Sequence, residues 1–166
     1  MSSDMMQHIQ WFPGHMTKTR RKIAEVLPII DAVAEIVDAR IPVSSRNPDL
    51  RDIIKDKPLM ILLNKCDMAD PKETAKWIDY YKKQGISAIP VDCKTGKGLA
   101  NFKDIVKTTL ADKLEQYREK GMAGKPLRVM VVGITNVGKS TFINRIAGNS
   151  RVKAENRPGV TRGNQW

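Results

Sequence analysis

A chain of 166 residues is long enough for one domain with a real core and short for two. With 41% hydrophobic and 28% charged residues it has the mix of a globular protein. Lys and Arg number 29 against 18 Asp and Glu, a net charge of +11, which excludes an acidic solvated chain and favours a polyanionic partner.

Met1 to Gln7 is a polar arm, and Trp11, Phe12, Pro13 and Gly14 follow together. Thr17 is a candidate cap for a helix with apolar positions Ile23, Val26, Leu27 and Ile30, and Pro28 should kink it or begin a new turn. Residues 1–30 are therefore expected as an arm and helix, and 31–166 as the main domain. Ala32 to Val37 is a short apolar segment ending at Asp38. Pro42, Ser44, Ser45, Asn47 and Pro48 mark a loop, and Leu50, Ile53 and Ile54 suggest a short helix. Leu59 to Leu63 is almost continuously apolar, the pattern of a strand buried on both faces. Asp70 and Pro71 form a helix start leading to Trp77, Ile78 and Tyr81, with Gly85 as its end.

Ile86 to Val91 is a further strand. One long helix is expected over Leu99 to Glu119, with Leu99, Phe102, Val106, Leu110, Leu114 and Tyr117 on one stripe. After Gly121, Gly124 and Pro126, Leu127 to Val132 is a fourth strand and Lys139 to Ala147 a helix; from Gly148 onward no periodicity is visible. Strands near 33, 59, 87 and 128 alternating with helices predict a three-layer α/β domain on a mostly parallel sheet.

Gly133-Ile-Thr-Asn-Val-Gly-Lys-Ser140 matches GxxxxGK[ST] between a strand and a helix. Its backbone N–H groups can cradle phosphates, Lys139 can reach the β and γ oxygens, and Ser140 can ligate Mg²⁺. Gly133, Thr135, Asn136, Val137, Gly138, Lys139, Ser140 and Thr141 are thus nucleotide candidates. Asn64-Lys-Cys-Asp67 follows the most apolar strand directly, at a carboxyl end where open α/β sheets bind ligands. The Asp67 carboxylate can accept from N1–H and the exocyclic amine of guanine, a pair that adenine does not offer. Asn64 can hold either the loop or the base edge, the Lys65 methylenes can pack over the ring, and Cys66 lies between them. Val91-Asp-Cys-Lys94 has the same placement one unit later: an N–H near Cys93 can meet guanine O6, with Asp92 and Lys94 beside it. Arg157-Pro-Gly-Val-Thr161 is a candidate switch, with Thr161 able to complete a Mg²⁺ shell.

These segments, with Trp11-Phe-Pro-Gly-His-Met16 and Asp38-Ala-Arg-Ile-Pro42, make the chain resemble the circularly permuted GTPases of the ribosome-assembly class. In ordinary small GTPases the phosphate loop comes first; here Asn64–Asp67 and Asp92–Lys94 precede Gly133–Ser140 and Thr161. The resemblance covers nearly the whole chain, and Thr135 departs from the proline usual at its position. It implies a circularly permuted P-loop GTPase fold with strand order 87, 59, 33, 128. Two more strands that would flank the strand near 128 are not found in the sequence. The family's DxxG loop does not appear after Thr161 either, so a domain truncated before that loop is expected.

The resemblance further implies GTP hydrolysis by the intact protein, with GTP or GDP, Mg²⁺ and K⁺ as cofactors. It makes His15 the water-orienting residue, Lys139 its catalytic partner on the phosphates, and Asn136 a K⁺ ligand. The role implied is a cytoplasmic switch in late assembly of the large (50S) ribosomal subunit, with rRNA and ribosomal proteins as partners. A fragment that holds nucleotide or RNA without turnover is the alternative, and an ATP-using enzyme is a third reading that Asp67 decides.

Lys18, Arg20, Arg21 and Lys22 form the best RNA-facing cluster, and Arg40 and Arg46 flank a loop where they are either surface residues or face RNA or nucleotide. The apolar runs are too short to span a bilayer and no signal segment is visible, so no membrane partner is expected. Cys66 and Cys93 cannot alone build a disulfide scaffold or a zinc site, and are expected as free thiols. A monomer is expected, with dimerisation through an open edge at the strand near 128 as the alternative.

Overall fold

The computed structural model describes residues 16–134, 137–148, 152–157 and 160–165. Strands β1 (Ala32–Asp38), β2 (Leu59–Asn64), β3 (Ser87–Pro90) and β4 (Leu127–Val132) run parallel, with β1 between β2 and β4 and β3 beyond β2. Every residue of β1 and β2 is buried, as their apolar runs require when helices cover both faces.

Helices fall into two layers. On one face α1 (Met16–Val26), α2 (Leu50–Ile54) and α3 (Pro71–Lys83) bring Ile23, Leu50, Ile54 and Tyr81 against Val33, Val37, Ile61 and Leu63. On the other, α4 (Asn101–Thr109), α5 (Ala111–Glu119) and α6 (Lys139–Ala147) bring Phe102, Val106 and Phe142 against Ala34, Ile36, Leu62 and Val131. Three layers and the strand order expected from the sequence are both present.

Local signals act as anticipated at several points. The chain leaves α1 through a 3-10 turn over Leu27–Ile29 with Pro28 in its first turn, while Ile23 and Leu27 pack into the sheet core. Asp70 caps α3 by accepting from the Lys72 N–H at 2.8 Å. Helix α1 begins at Met16, so Thr17 lies inside its first turn and not at its cap.

Two expectations need correction. The single helix over 99–119 is two, broken at Leu110, whose backbone leaves the helical region at φ −108 and ψ 22. The β-branched pair Thr108 and Thr109 weakens the helix just there. The bend buries Leu110 in the core and brings the Tyr117 hydroxyl to Asp31 Oδ1 at 3.3 Å.

The second correction concerns the tail, read as aperiodic. Strands β5 (Val152–Arg157) and β6 (Val160–Gln165) pair as an antiparallel hairpin, and β6 pairs antiparallel with β4. Among the described residues the sheet therefore has six strands in the order β3-β2-β1-β4-β6-β5. Two strands that the sequence reading did not anticipate therefore flank β4, built from 152–165 and not from a segment after Thr161, and β6 covers the edge of β4 that was expected to be open. Thr161 lies in β6, in register with Val131 of β4 and Asn156 of β5, and not in a loop.

Candidate functional site

The carboxyl ends of β1, β2 and β3 and the loop after β4 meet at one rim of the sheet. Asp38 and Asn64 are register partners at the ends of β1 and β2, and Val91, just past β3, donates its N–H to Leu63 O at 2.9 Å. Asn64 ties the rim together. Its Nδ2 donates to the Val137 carbonyl at 2.6 Å, and its Oδ1 accepts the Cys93 N–H at 2.9 Å. One buried amide thus joins the Asn64–Asp67, Asp92–Lys94 and Gly133–Ser140 segments, three stretches distant in sequence. Of the two roles open to Asn64, holding the loops is the one it performs here.

The phosphate-loop glycines are set by close approach. Gly138 has φ +97, and a Cβ there would lie 2.1 Å from Asn64 Nδ2. A Cβ on Gly133 would lie 2.9 Å from Val137 Cγ2 and 3.1 Å from the Ile36 carbonyl. Gly138 is the N-cap of α6 and, having no side chain, makes no cap hydrogen bond to its first turn. Lys139 opens that helix with only 8% of its surface exposed. Burial alone pulls its ammonium down to about 8, and no acidic side chain among the described residues offsets the loss of water. Ser140 and Thr141 follow as exposed residues of the first turn.

Lys65 is left-handed at φ 61 and starts a tight turn over Cys66–Met68, which leaves Asp67 exposed. Cys66 donates its N–H to Val91 O at 3.2 Å, fixing this turn on the third loop. There Asp92 is an organiser. Its carboxylate accepts from Lys94 N at 3.0 Å and Thr95 Oγ1 at 2.7 Å, and these bonds hold it below the usual carboxylate range. Lys94 is exposed, and its carbonyl accepts from Arg145 Nη2 of α6. Cys93 is buried, which pushes its thiol up to about 12, and burial also raises Cys66; both thiols are free.

In the stretch near Cys93, where an N–H is expected to meet guanine O6, the Cys93 N–H bonds Asn64 Oδ1 and the Lys94 N–H bonds Asp92 Oδ1. His15, Thr135 and Asn136 lie outside the described residues. Register with Val131 brings Thr161 to the rim end of β4, two residues before Gly133.

The two arginines beside the loop after β1 are engaged. Arg46 Nε bonds Glu35 Oε2 at 2.8 Å, and Arg40 clasps Asp38. The basic helix face is also partly neutralised, Arg20 lying 3.6 Å from Asp49 and Arg21 3.5 Å from Glu25.

Residues 128–166 match the family model described as 50S ribosome-binding GTPase. The chain is 53% identical over 160 residues to ribosome biogenesis GTPase A of Priestia megaterium, covering 95% of this chain and 55% of that protein. Against the protein of that name from Bacillus licheniformis it is 48% identical, covering 95% of this chain and 56% of that protein. Its fold is similar to a GDP-bound structure of TM YlqF, with TM-score 0.58 and 29% identity over 86% of this chain and 55% of that one. Over these residues the chain is a close homologue of the bacterial ribosome biogenesis GTPase A proteins, and it spans about half of their length.

Proposed function

We propose that the chain carries the guanine-nucleotide site of a GTP-hydrolysing switch acting in assembly of the large ribosomal subunit. The observation that carries this reading is the Asn64 bridge, which holds the three loop segments in one cluster at the sheet's carboxyl rim. Homology to proteins named for ribosome biogenesis supports the setting.

In this reading the phosphates lie over the first turn of α6 and recover the electrostatic energy that Lys139 loses by burial. Gly133 and Gly138 allow the backbone close approach, and Val137 is held by Asn64 so that the loop is preorganised. Asp67 accepts from the N1–H and amine of guanine, while the stems of Lys65 and Lys94 flank the ring. Among the described residues no group of three or more His, Cys, Asp or Glu could hold a metal alone. A magnesium ion would instead be held by the hydroxyls of Ser140 and Thr161 together with the nucleotide's phosphates. When bound, the ion neutralises charge on the β and γ oxygens. Asn136 is assigned to a potassium ion and His15 to orienting water. The +11 charge, with Lys18 to Lys22 as its local concentration, suits rRNA.

Asp67→Asn tests the base assignment. The substitution should abolish preference for GTP over ATP in competition binding; unchanged selectivity would refute it. Steady-state phosphate release from GTP tests turnover separately.

A further inference from the structure

The loop over residues 92–97 carries Lys94, which the guanine reading sets beside the ring, and it is closed on itself. The Asp92 N–H donates to the Lys97 carbonyl and the Gly96 N–H to the Asp92 carbonyl, both at 2.8 Å. The Asp92 carboxylate holds Lys94 N and Thr95 Oγ1 from inside the turn. At its base the loop is tied to β2, where the Cys93 N–H meets Asn64 Oδ1. None of these bonds joins the tip, residues 94–96, to the helix that opens at the phosphate loop.

Arg145 makes that connection. It lies in the last turn of α6, three residues after Phe142, whose ring meets Phe102 of α4 edge to face with centroids 5.1 Å apart. Residues three apart share a helix face, so Arg145 borders the packing of α6 on α4, the helix that follows the loop. Helical side chains lean back toward the N-terminus, here toward the rim. Arg145 Nη2 donates to the Lys94 carbonyl, 51 residues earlier in sequence. Gly96 has φ +90, and a Cβ there would lie 3.1 Å from Arg145 Nη1 and 3.8 Å from its Cζ. The missing side chain lets the guanidinium lie against the loop tip.

We propose that Arg145 is a positioning residue for the base: it ties the Lys94 loop to the phosphate-binding helix and so fixes the spacing between the two ends of the site. The proposal rests on the guanine-nucleotide reading of this rim.

Arg145→Met keeps an unbranched stem and removes the donor, and Arg145 is exposed, so the substitution leaves the core untouched. Calorimetric titration of the whole chain with GDP should show about fivefold weaker binding than wild type. Pyrophosphate, which can reach α6 but has no base, should bind the two chains within about twofold of each other, as independent sites do. Gly96→Ala disturbs the same contact and should also weaken GDP about fivefold. The double variant should be no weaker than the worse single one, whereas independent effects would multiply to about 25-fold. Where pyrophosphate is too weak to titrate, this GDP cycle decides alone. Equal GDP affinity in wild type and Arg145→Met, a pyrophosphate loss in step with the GDP loss, or multiplied effects in the double variant would each overturn the proposal. No GDP binding by wild type would instead overturn the underlying reading of the rim.

Discussion

Asn64 Nδ2 donates to the Val137 carbonyl at 2.6 Å, a bond spanning 73 residues of sequence between the end of β2 and the phosphate loop. With the second bond to the Cys93 N–H it makes one side chain responsible for two loop positions. Asn64→Ala would leave a buried carbonyl and a buried N–H unpaired. It should lower stability by about 3 kcal/mol in urea unfolding, and weaken guanine-nucleotide binding further through loss of loop order.

Gly138→Ala meets the same contact from the other side. A Cβ at 2.1 Å from Asn64 Nδ2, on a residue with φ +97, cannot be accepted without displacing the bridge. Gly121→Ala is the control: φ is +70 there, but nothing lies within 4 Å of the added carbon. Thermal unfolding should show roughly 1 kcal/mol of loss at Gly121 from backbone strain alone, and clearly more at Gly138. Nucleotide affinity should fall only in the Gly138 variant.

Lys139 predicts a pH dependence of defined sign. Its folded value of about 8 lies below the ordinary 10.5, so between these values the unfolded chain binds more protons than the folded one. The burial penalty is fully present below pH 8 and fades as pH rises toward 10.5, so this group makes the nucleotide-free chain more stable with rising pH. Lys139→Met should remove that slope and raise stability at pH 7 by on the order of 2 kcal/mol. Phosphates beside Lys139 should raise its value again, so GDP binding at pH 8.5 takes up protons. Calorimetry in buffers of different ionisation enthalpy measures this uptake, which Lys139→Met should lose.

Glu35 and Arg46 anchor the loop that follows Asp38. Glu35 is buried in mid-strand, accepts from Arg46 Nε and from Asn47 N at 3.0 Å, and is raised chiefly by desolvation. Arg46→Ala should destabilise the fold by about 3 kcal/mol at pH 7 by leaving a buried carboxylate without its cation. The loss should shrink toward pH 5, because a carboxyl with a raised value binds its proton in the folded state and loses that advantage as pH rises. A loss independent of pH would contradict this assignment.

These relationships explain how far the sequence could be read. Gly133–Ser140 and Asn64–Asp67 were legible because they carry their residue types at fixed spacing beside apolar strands. The Asn64 bridge was not, since its partners are backbone atoms of Val137 and Cys93 brought together only by the parallel register of the sheet. Glu35 inside the apolar segment 32–37 was a signal that a buried cation must face it, and Arg46 is that cation.

The β5–β6 hairpin was missed because Val152–Arg157 and Val160–Gln165 lack a clean apolar alternation and draw their order from pairing, β6 with β4 and β5 with β6. The cue was Pro158-Gly159, a turn-forming dipeptide between the register partners Arg157 and Val160. Asp38 was visible within Asp38-Ala-Arg-Ile-Pro42, but its hold on Arg40 and Lys65 is a matter of three-dimensional placement.

The central claim is that this rim is a guanine-nucleotide site, and calorimetric titration of the 166-residue chain with GDP and with ADP, in Mg²⁺ and K⁺, tests it most directly. The account predicts one GDP per chain, at least a hundredfold preference over ADP (about 2.7 kcal/mol or more), and loss of that preference in Asp67→Asn. Equal affinity for the two nucleotides, or binding of neither, would contradict it.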